Sequence, residues 1–275
     1  MSILSMKRPL SAIVLTGLVM LSACNKKPEK ADTPDNRPPA TVAPLGFARE
    51  NTDAQVSLTL PDTVKLYPDL HTRLYKEGEA TLTAFMKQAH ADRAEIAATG
   101  FPQPPYSHSI VWKLAAQTPR LVSMFAEEDD YQGGAHPNHT YQTVLWDRAS
   151  QSLIPSGHLF VPGADFKAIN SFVCSQIEAA RSKRAGTPVS QGGSGFSCPK
   201  FDESRLVLMP SNQPDKIGAI DALYAPYDVG AYAEGPYEIR VPQSLIRGLL
   251  APEFADQFGG EATPAMALPD PTVMP

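Results

Sequence analysis

Basic charge is scarce in this 275-residue chain, and its scarcity excludes a large class of functions. Lysine and arginine together number 24, against 29 aspartates and glutamates, so the formal net charge at pH 7 is −5. Proteins that bind nucleic acid carry basic patches that meet the phosphate backbone. We therefore expect no nucleic-acid partner. A mildly acidic surface is better suited to attracting a basic partner at long range.

The N-terminus lacks an apolar run long enough to cross a membrane. Its apolar stretch, residues 10–21, covers about a dozen residues, whereas a membrane-spanning helix needs ~20. Lys7 and Arg8 precede this stretch, a pattern typical of a secretory signal peptide. The stretch ends in Leu-Ser-Ala-Cys at residues 21–24, which resembles the lipobox of bacterial lipoproteins.

The lipobox resemblance implies that residues 1–23 are removed and that Cys24 receives a lipid. The mature protein would then be anchored on the periplasmic side of a bacterial membrane. Asn25 stands where enteric bacteria place the Asp that retains lipoproteins in the inner membrane, which favours the outer membrane. Losing Lys7 and Arg8 removes two positive charges and takes the net charge from −5 to −7. The alternative is ordinary signal cleavage beside a chance cysteine.

Cysteine is also sparse, with three residues in all. With Cys24 assigned to lipid, Cys174 and Cys198 remain, and two thiols in an exported chain usually pair. A bond between them would close a loop of ~24 residues and stabilise the fold by roughly 3 kcal/mol. Two free thiols are the alternative. A catalytic cysteine is disfavoured because no histidine lies near either one in the sequence.

Composition divides the chain into a tether, a folded region and a tail. Residues 24–50 are rich in proline and charge and predict a disordered tether, and residues 251–275, rich in proline and alanine, predict a disordered tail. The folded region between them suits two closely joined α+β subdomains, residues 51–160 and 161–250.

Hydrophobic periodicity predicts an α+β fold in which two amphipathic helices cover an antiparallel sheet meander. The helical stripes begin near Asp69 and Phe166, and Gly78 is predicted to bend the first helix. Alternation of apolar and polar residues predicts strands at residues 56–60, 108–114, 121–126, 140–146, 205–209, 217–224 and 237–241.

The turn at residues 131–139, Tyr-Gln-Gly-Gly-Ala-His-Pro-Asn-His, stands out from this regular pattern. It resembles the signature of the extracytoplasmic domain shared by RsiV, a lysozyme-sensing anti-sigma factor, and PdaC, a peptidoglycan deacetylase. Residues 225–242, which contain a Pro-Tyr turn, a glycine and a final strand, resemble the closing segment of that family. With Trp146-Asp147 and Leu159-Phe160, the likeness covers about residues 55–250. The first subdomain is thus PdaC-like and the second is similar to the C-terminal part of RsiV.

The resemblance implies an envelope protein and leaves two functions open. The first is a non-catalytic domain that recognises lysozyme or a peptidoglycan component. The second is a peptidoglycan-modifying enzyme, a hydrolase or a deacetylase. The catalytic domain of PdaC-like enzymes follows the shared domain, whereas this sequence continues into the predicted tail, so the first function is expected. No cofactor is expected.

The candidate ligand-binding residues lie in the turn, because loops on a rigid scaffold commonly carry binding. They are Tyr131, Gln132, Gly133, Gly134, His136 and Asn138. An acidic run, residues 127–130, leads into the turn. It could pair with a basic partner or hold a cation, but a solvated strand end is expected. Trp112, Trp146, Tyr131 and Tyr141 either stack on a sugar or belong to the core, and the core is favoured. His136 and His139 could share a metal, but no third ligand is evident nearby, so a hydrogen-bonded turn is expected instead.

Replacement of the lipid-bearing cysteine tests the predicted maturation. Cys24→Ala should yield soluble or unprocessed protein, because the thioether that carries the lipid cannot form. Membrane fractionation and the apparent mass of the processed chain measure the effect. A variant that stays membrane-bound with unchanged processing would show that Cys24 is not the anchor.

Overall fold

The computed structural model describes residues 43–97, 100 and 104–264, and these hold nine strands and four α-helices. The strands are β1 (Gly46–Glu50), β2 (Ala54–Thr59), β3 (Tyr106–Gln117), β4 (Leu121–Tyr131), β5 (Asn138–Asp147), β6 (Ser152–Leu153), β7 (Arg205–Pro210), β8 (Ile217–Tyr224) and β9 (Tyr237–Pro242). The helices are α1 (Pro68–Ala97), α2 (Lys167–Ala185), α3 (Gln243–Ile246) and α4 (Pro252–Ala255). Within these described ranges, no helix is long and apolar enough to cross a membrane.

The strands form two sheets. The first sheet has six strands in the order β1-β2-β3-β4-β5-β6, and the second has three in the order β7-β8-β9. Strands β3, β4 and β5 form the predicted antiparallel meander. Strands β2 and β3 are parallel, with α1 as the crossover between them, so the first sheet is mixed. The predicted α+β class is confirmed, and the second sheet adds to the predicted meander.

Helix α1 covers one face of the first sheet, because its apolar stripe meets the apolar side of β2 and β3. Leu70, Leu74 and Leu82 are buried in one cluster with Val56 and Leu58. The helix continues through Gly78 without a break. A Cβ atom at Gly78 would lie 2.8 Å from Cδ1 of Leu58, which shows that close approach to the sheet requires a glycine there.

The opposite face of the first sheet is partly covered by the second sheet. Phe125 and Tyr141 pack against Val207 and Met209 in a separate apolar cluster. The backbone N–H of Leu208 donates a hydrogen bond to the Ser123 hydroxyl, 3.0 Å away. The two sheets belong to one compact unit.

Helix α2 covers the far side of the second sheet, and its predicted disulfide is present. Val173 and Ile177 share the largest apolar cluster with Ile239 of β9. Cys174 and Cys198 are bonded, with 5.2 Å between their Cα atoms. The bond pins the loop that follows α2 to the helix.

Both ends of the folded region differ from the sequence prediction. Strand β1 lies within the predicted tether and pairs with β2. Phe47 of β1 also packs edge-on against Tyr75 of α1, with 5.9 Å between ring centroids. At the other end, residues 251–264 of the predicted tail are ordered. Phe254 and Phe258 are buried there, and burial of each side chain is worth roughly 1.5–3 kcal/mol.

The predicted signal peptide, residues 1–23, and Cys24 lie outside the described residues. So do the greater part of the predicted tether, residues 24–42, and the last part of the predicted tail, residues 265–275.

Candidate functional site

The turn that the sequence singles out forms the tip of the β4–β5 hairpin. Gly133 and Gly134 have φ angles of 87° and 117°, values that residues with a Cβ atom rarely adopt. The Tyr131 hydroxyl donates to the Gly134 carbonyl at 3.2 Å and closes the tip. The glycine pair is therefore required by the shape of the tip.

The hairpin tip packs against the segment that follows β8. The His136 ring stacks on the Tyr232 ring, with 3.6 Å between centroids and 16° between planes. The Tyr227 ring lies 5.6 Å from Tyr232 and 6.3 Å from His136, and the Tyr232 hydroxyl donates to the Pro137 carbonyl at 2.8 Å. We call His136, Tyr227 and Tyr232 the aromatic platform. His136 is exposed, and Tyr227 is 56% exposed.

Tyr227 holds an uncommon backbone conformation, with φ at 73°. Such a conformation costs a residue with a side chain of order 1–3 kcal/mol and persists only where neighbours impose it. Here the Tyr227 N–H donates to the Gly230 carbonyl, and the Asp228 N–H donates to the Ala225 carbonyl. The Asp228 carboxylate in turn accepts from the Ala225 N–H at 2.8 Å and from Arg205 at 2.9 Å. The turn is thus fixed with its aromatic side chain facing solvent.

A half-buried ion pair holds the segment that carries Tyr232. The Arg181 guanidinium of α2 donates two hydrogen bonds of 2.8 Å to the Glu234 carboxylate. The same carboxylate accepts from the Tyr237 hydroxyl at 2.6 Å and from the Ala231 N–H at 3.1 Å. These donors, Arg181 foremost, hold the pKa of Glu234 at about 2, against an ordinary value of 4.5. Arg181 itself is only 4% exposed.

The loop after α2 completes the surroundings of Arg181. The guanidinium also donates to the Gln191 side chain at 2.6 Å and to the Ser194 hydroxyl at 2.7 Å. Gln191 is fully buried and donates to the Val229 carbonyl at 3.2 Å. Helix α2, its following loop and the segment with Tyr232 therefore share one polar network.

All four acidic residues before the tip have partners within the protein. The pairs are Glu127 with Lys113 at 2.6 Å, Glu128 with His108 at 2.8 Å, Asp129 with His139 at 2.6 Å, and Asp130 with the side-chain amides of Gln132 at 2.9 Å and Asn138 at 3.1 Å. The hydrogen bond from His108 lowers the pKa of Glu128. The carboxylates of residues 127–130 are therefore all engaged by side chains of the protein itself.

The two histidines of the turn face different partners. His136 contacts the Pro137 carbonyl at 2.9 Å through Nδ1, whereas His139 is buried and bonds Asp129. Nε2 of His139 and the Tyr141 hydroxyl are buried without a hydrogen-bond partner, and burial raises the pKa of Tyr141. In the described part of the chain, no group of three histidine, cysteine or carboxylate side chains is arranged to hold a metal ion.

The aromatic residues considered for sugar stacking separate into core and surface. Trp112, Trp146 and Tyr141 are each at most 5% exposed and belong to the core, as favoured by the sequence. Tyr131 is half-buried at the tip. The aromatic surface comes from the exposed Tyr227 and the half-buried Tyr232, and the sequence marked neither as a binding residue. The sequence could have indicated Tyr227 and Tyr232, because both lie within residues 225–242, the second segment that resembles the family.

Comparison with known proteins agrees with the resemblance drawn from the turn. The family model described as deacetylase PdaC matches residues 48–139. Residues 48–139 are thus similar to a PdaC-type domain. The match covers β1 to β4, α1 and the hairpin tip, and ends at His139. No curated protein matches the chain.

Two solved structures are similar to this chain over about three quarters of its length. A DUF3298 family member from Bacteroides fragilis has a TM-score of 0.55 at 15% identity, over 77% of this chain and 95% of that one. A DUF3298 family protein from Pseudomonas aeruginosa has a TM-score of 0.45 at 18% identity, over 78% of this chain and 94% of that one. At such identity the first structure shows a shared fold. The platform residues Tyr227 and Tyr232 lie beyond the PdaC-type match.

Removal of the charge on Glu234 tests the ion pair beneath the platform. Glu234→Gln should lower the free energy of unfolding at pH 7 by about 2–4 kcal/mol, because Arg181 would stay buried without a counter-charge. The matched control is Glu203→Gln, whose exposed pair with Lys200 should be worth less than about 0.5 kcal/mol. Urea unfolding followed by circular dichroism measures both changes.

The lowered pKa of Glu234 predicts that the stabilisation it provides depends on pH. The pKa of Glu234 is lower in the folded chain, so its carboxylate stabilises the fold fully above about pH 4.5. That contribution is lost as the pH falls from 4.5 towards 2. The difference in unfolding free energy between wild type and Glu234→Gln should therefore shrink on acidification through this window. A difference that stays constant from pH 7 to pH 3 would contradict the pairing.

Proposed function

We propose that this chain is a non-catalytic recognition domain of the bacterial envelope, displayed on the periplasmic side through a lipid on Cys24. Its ligand is a lysozyme-like protein or a peptidoglycan component. The observation that carries the proposal is the aromatic platform, where both segments that resemble the family meet. The His136 and Tyr227 side chains are exposed on it.

The platform has the physical properties of a binding surface. Tyrosine and histidine offer an apolar face and a polar edge, and tyrosine is enriched among residues that dominate binding energy. The three rings are held by a strained turn, a stacking contact and the Glu234 ion pair. Rings fixed before binding lose little conformational entropy when a ligand arrives, which strengthens binding.

Electrostatics supports a basic protein as one ligand. The chain without residues 1–23 carries a net charge of −7, so a basic lysozyme would be attracted at long range and in a salt-dependent way. The acidic run at residues 127–130 contributes to this field, although its carboxylates are engaged within the protein. Lysozyme is therefore the first protein ligand to test.

The alternative is a peptidoglycan-modifying enzyme, and the name of the matching family model favours it. The carboxylates and imidazoles in and beside the turn that metal-dependent catalysis could use are those of Asp129, Asp130, His136 and His139. They have separate partners: Asp129 and His139 bond each other, Asp130 bonds amides, and His136 stacks on Tyr232. This arrangement favours recognition over catalysis.

Location follows from the proposed anchor. The lipobox-like segment and Asn25 favour the outer membrane. The lipid on Cys24 would insert into the membrane, and the folded region would bind its ligand in the periplasm.

Calorimetric titration tests the proposed function. The protein lacking residues 1–23 should bind lysozyme or soluble peptidoglycan fragments, more tightly at low salt for lysozyme. His136→Ala and Tyr227→Ala should each weaken binding at least ~10-fold, because each removes a platform ring. Leu245→Ala, which truncates another exposed apolar side chain, is the control and should bind as wild type does.

Two results would contradict the proposal. Absence of binding to both ligands at high micromolar protein would reject the recognition function. Release of acetate or of glycan fragments from purified peptidoglycan would show that the domain is an enzyme. Circular dichroism of each variant confirms that a loss of binding is not a loss of fold.

A further inference from the structure

The face of the first sheet opposite α1 is only partly covered. At the β4–β5 end, Phe125 and Tyr141 lie beneath the second sheet. Among the described residues, the β1–β3 end of the same face forms a cleft of about 540 Å³. A volume in the range of ~300–1,000 Å³ is typical of small-molecule sites.

Strand register shows how the cleft is built. One cross-strand row consists of Ala48, Ser57, Ser109 and Asp129 on β1 to β4. The next row consists of Glu50, Gln55, Ser107 and Tyr131. Because Ala and Ser are small, the floor lies lower than the surrounding side chains. With ~4.8 Å between strands, each row is roughly 14 Å long.

The polar groups on the floor are available to a ligand. Among the described residues, the side chains of Ser57, Ser107, Ser109, Gln55 and Glu50 have no hydrogen-bond partner. Each serine hydroxyl can donate and accept, the amide can do both, and the carboxylate accepts. The floor therefore offers a row of mixed donors and acceptors.

Both rows of the cleft floor end on β4, close in sequence to the hairpin tip. Tyr131, the last member of the second row, closes the hairpin tip through its bond to Gly134. Asp129, at the end of the first row, bonds His139 at 2.6 Å. Burial, and after it the charge of Asp129, raises the pKa of Tyr232. The hydroxyl groups of the floor therefore lead, along the two rows, to the hairpin tip that carries His136 of the platform.

We propose that this cleft binds a neutral saccharide strand whose end stacks on the aromatic platform. The inference rests on the proposed recognition function and selects a glycan as its ligand class. Sugar hydroxyls match the mixed donors and acceptors of the floor, and the apolar face of a sugar ring matches an aromatic ring. The length of each row suits an oligosaccharide. The Glu50 and Asp129 carboxylates accept bonds from neutral sugars and repel anionic ones.

Titration with tetra-N-acetylchitotetraose, a neutral four-sugar probe, tests the cleft. Ser57→Val and Ser109→Val fill the floor and remove a hydroxyl, yet valine suits a strand. Each should weaken binding of the probe at least 10-fold. The matched control is Thr59→Val, on the same strand and face but outside the cleft, which should change the affinity less than twofold. A tetragalacturonate should bind at least 10-fold more weakly than the neutral probe.

The outcomes separate this inference from the proposed function. If the probe binds and is weakened by Tyr227→Ala but not by the serine variants, the cleft is rejected and the platform stands. If wild type binds lysozyme but not the saccharide, the glycan is rejected and recognition stands. Equal affinity for the tetragalacturonate would also overturn the inference. Absence of binding to any of these ligands rejects both proposals.

Discussion

The ion pair between Arg181 and Glu234 is the constraint on which the candidate site depends. A buried pair adds little net stability, since desolvation offsets most of the attraction, but removing one partner leaves a costly unpaired charge. Arg181 therefore keeps its counter-charge only when α2, the loop after it and the segment that carries Tyr232 are arranged as they are here. That arrangement places Tyr232 against the hairpin tip, where His136 stacks on it. The platform therefore depends on the packing of the second sheet as well as on the turn at residues 131–139.

The parts of the fold that the sequence predicts are those set by local periodicity. Alternating apolar residues predicted the strands of the meander, and helical stripes of apolar residues predicted α1 and α2, because each of these elements buries one face. The glycine pair at 133–134 gave the turn, since positive φ angles favour glycine. Cys174 and Cys198 were predicted to pair from their number and setting alone. The family resemblance gave the candidate turn.

The remainder depends on contacts between residues far apart in the sequence. Strands β2 and β3 pair in parallel because α1 crosses over between them. No local sequence pattern predicts this pairing. Phe254 and Phe258 look isolated among prolines and alanines until their partners in the core are known. Arg181 resembles a surface cation at a helix end, whereas in the structure it is buried beside Glu234. The exposure of Tyr227 depends on a backbone conformation that only its neighbours impose.

A double-mutant cycle between His136 and Tyr232 tests most directly whether the two family-like segments meet. Stability of wild type, His136→Ala, Tyr232→Ala and the double variant is measured by urea unfolding. The stacked rings predict a coupling free energy of about 0.5–1.5 kcal/mol. Additivity of the two single substitutions within about 0.3 kcal/mol would show that the rings do not interact, and would contradict the platform.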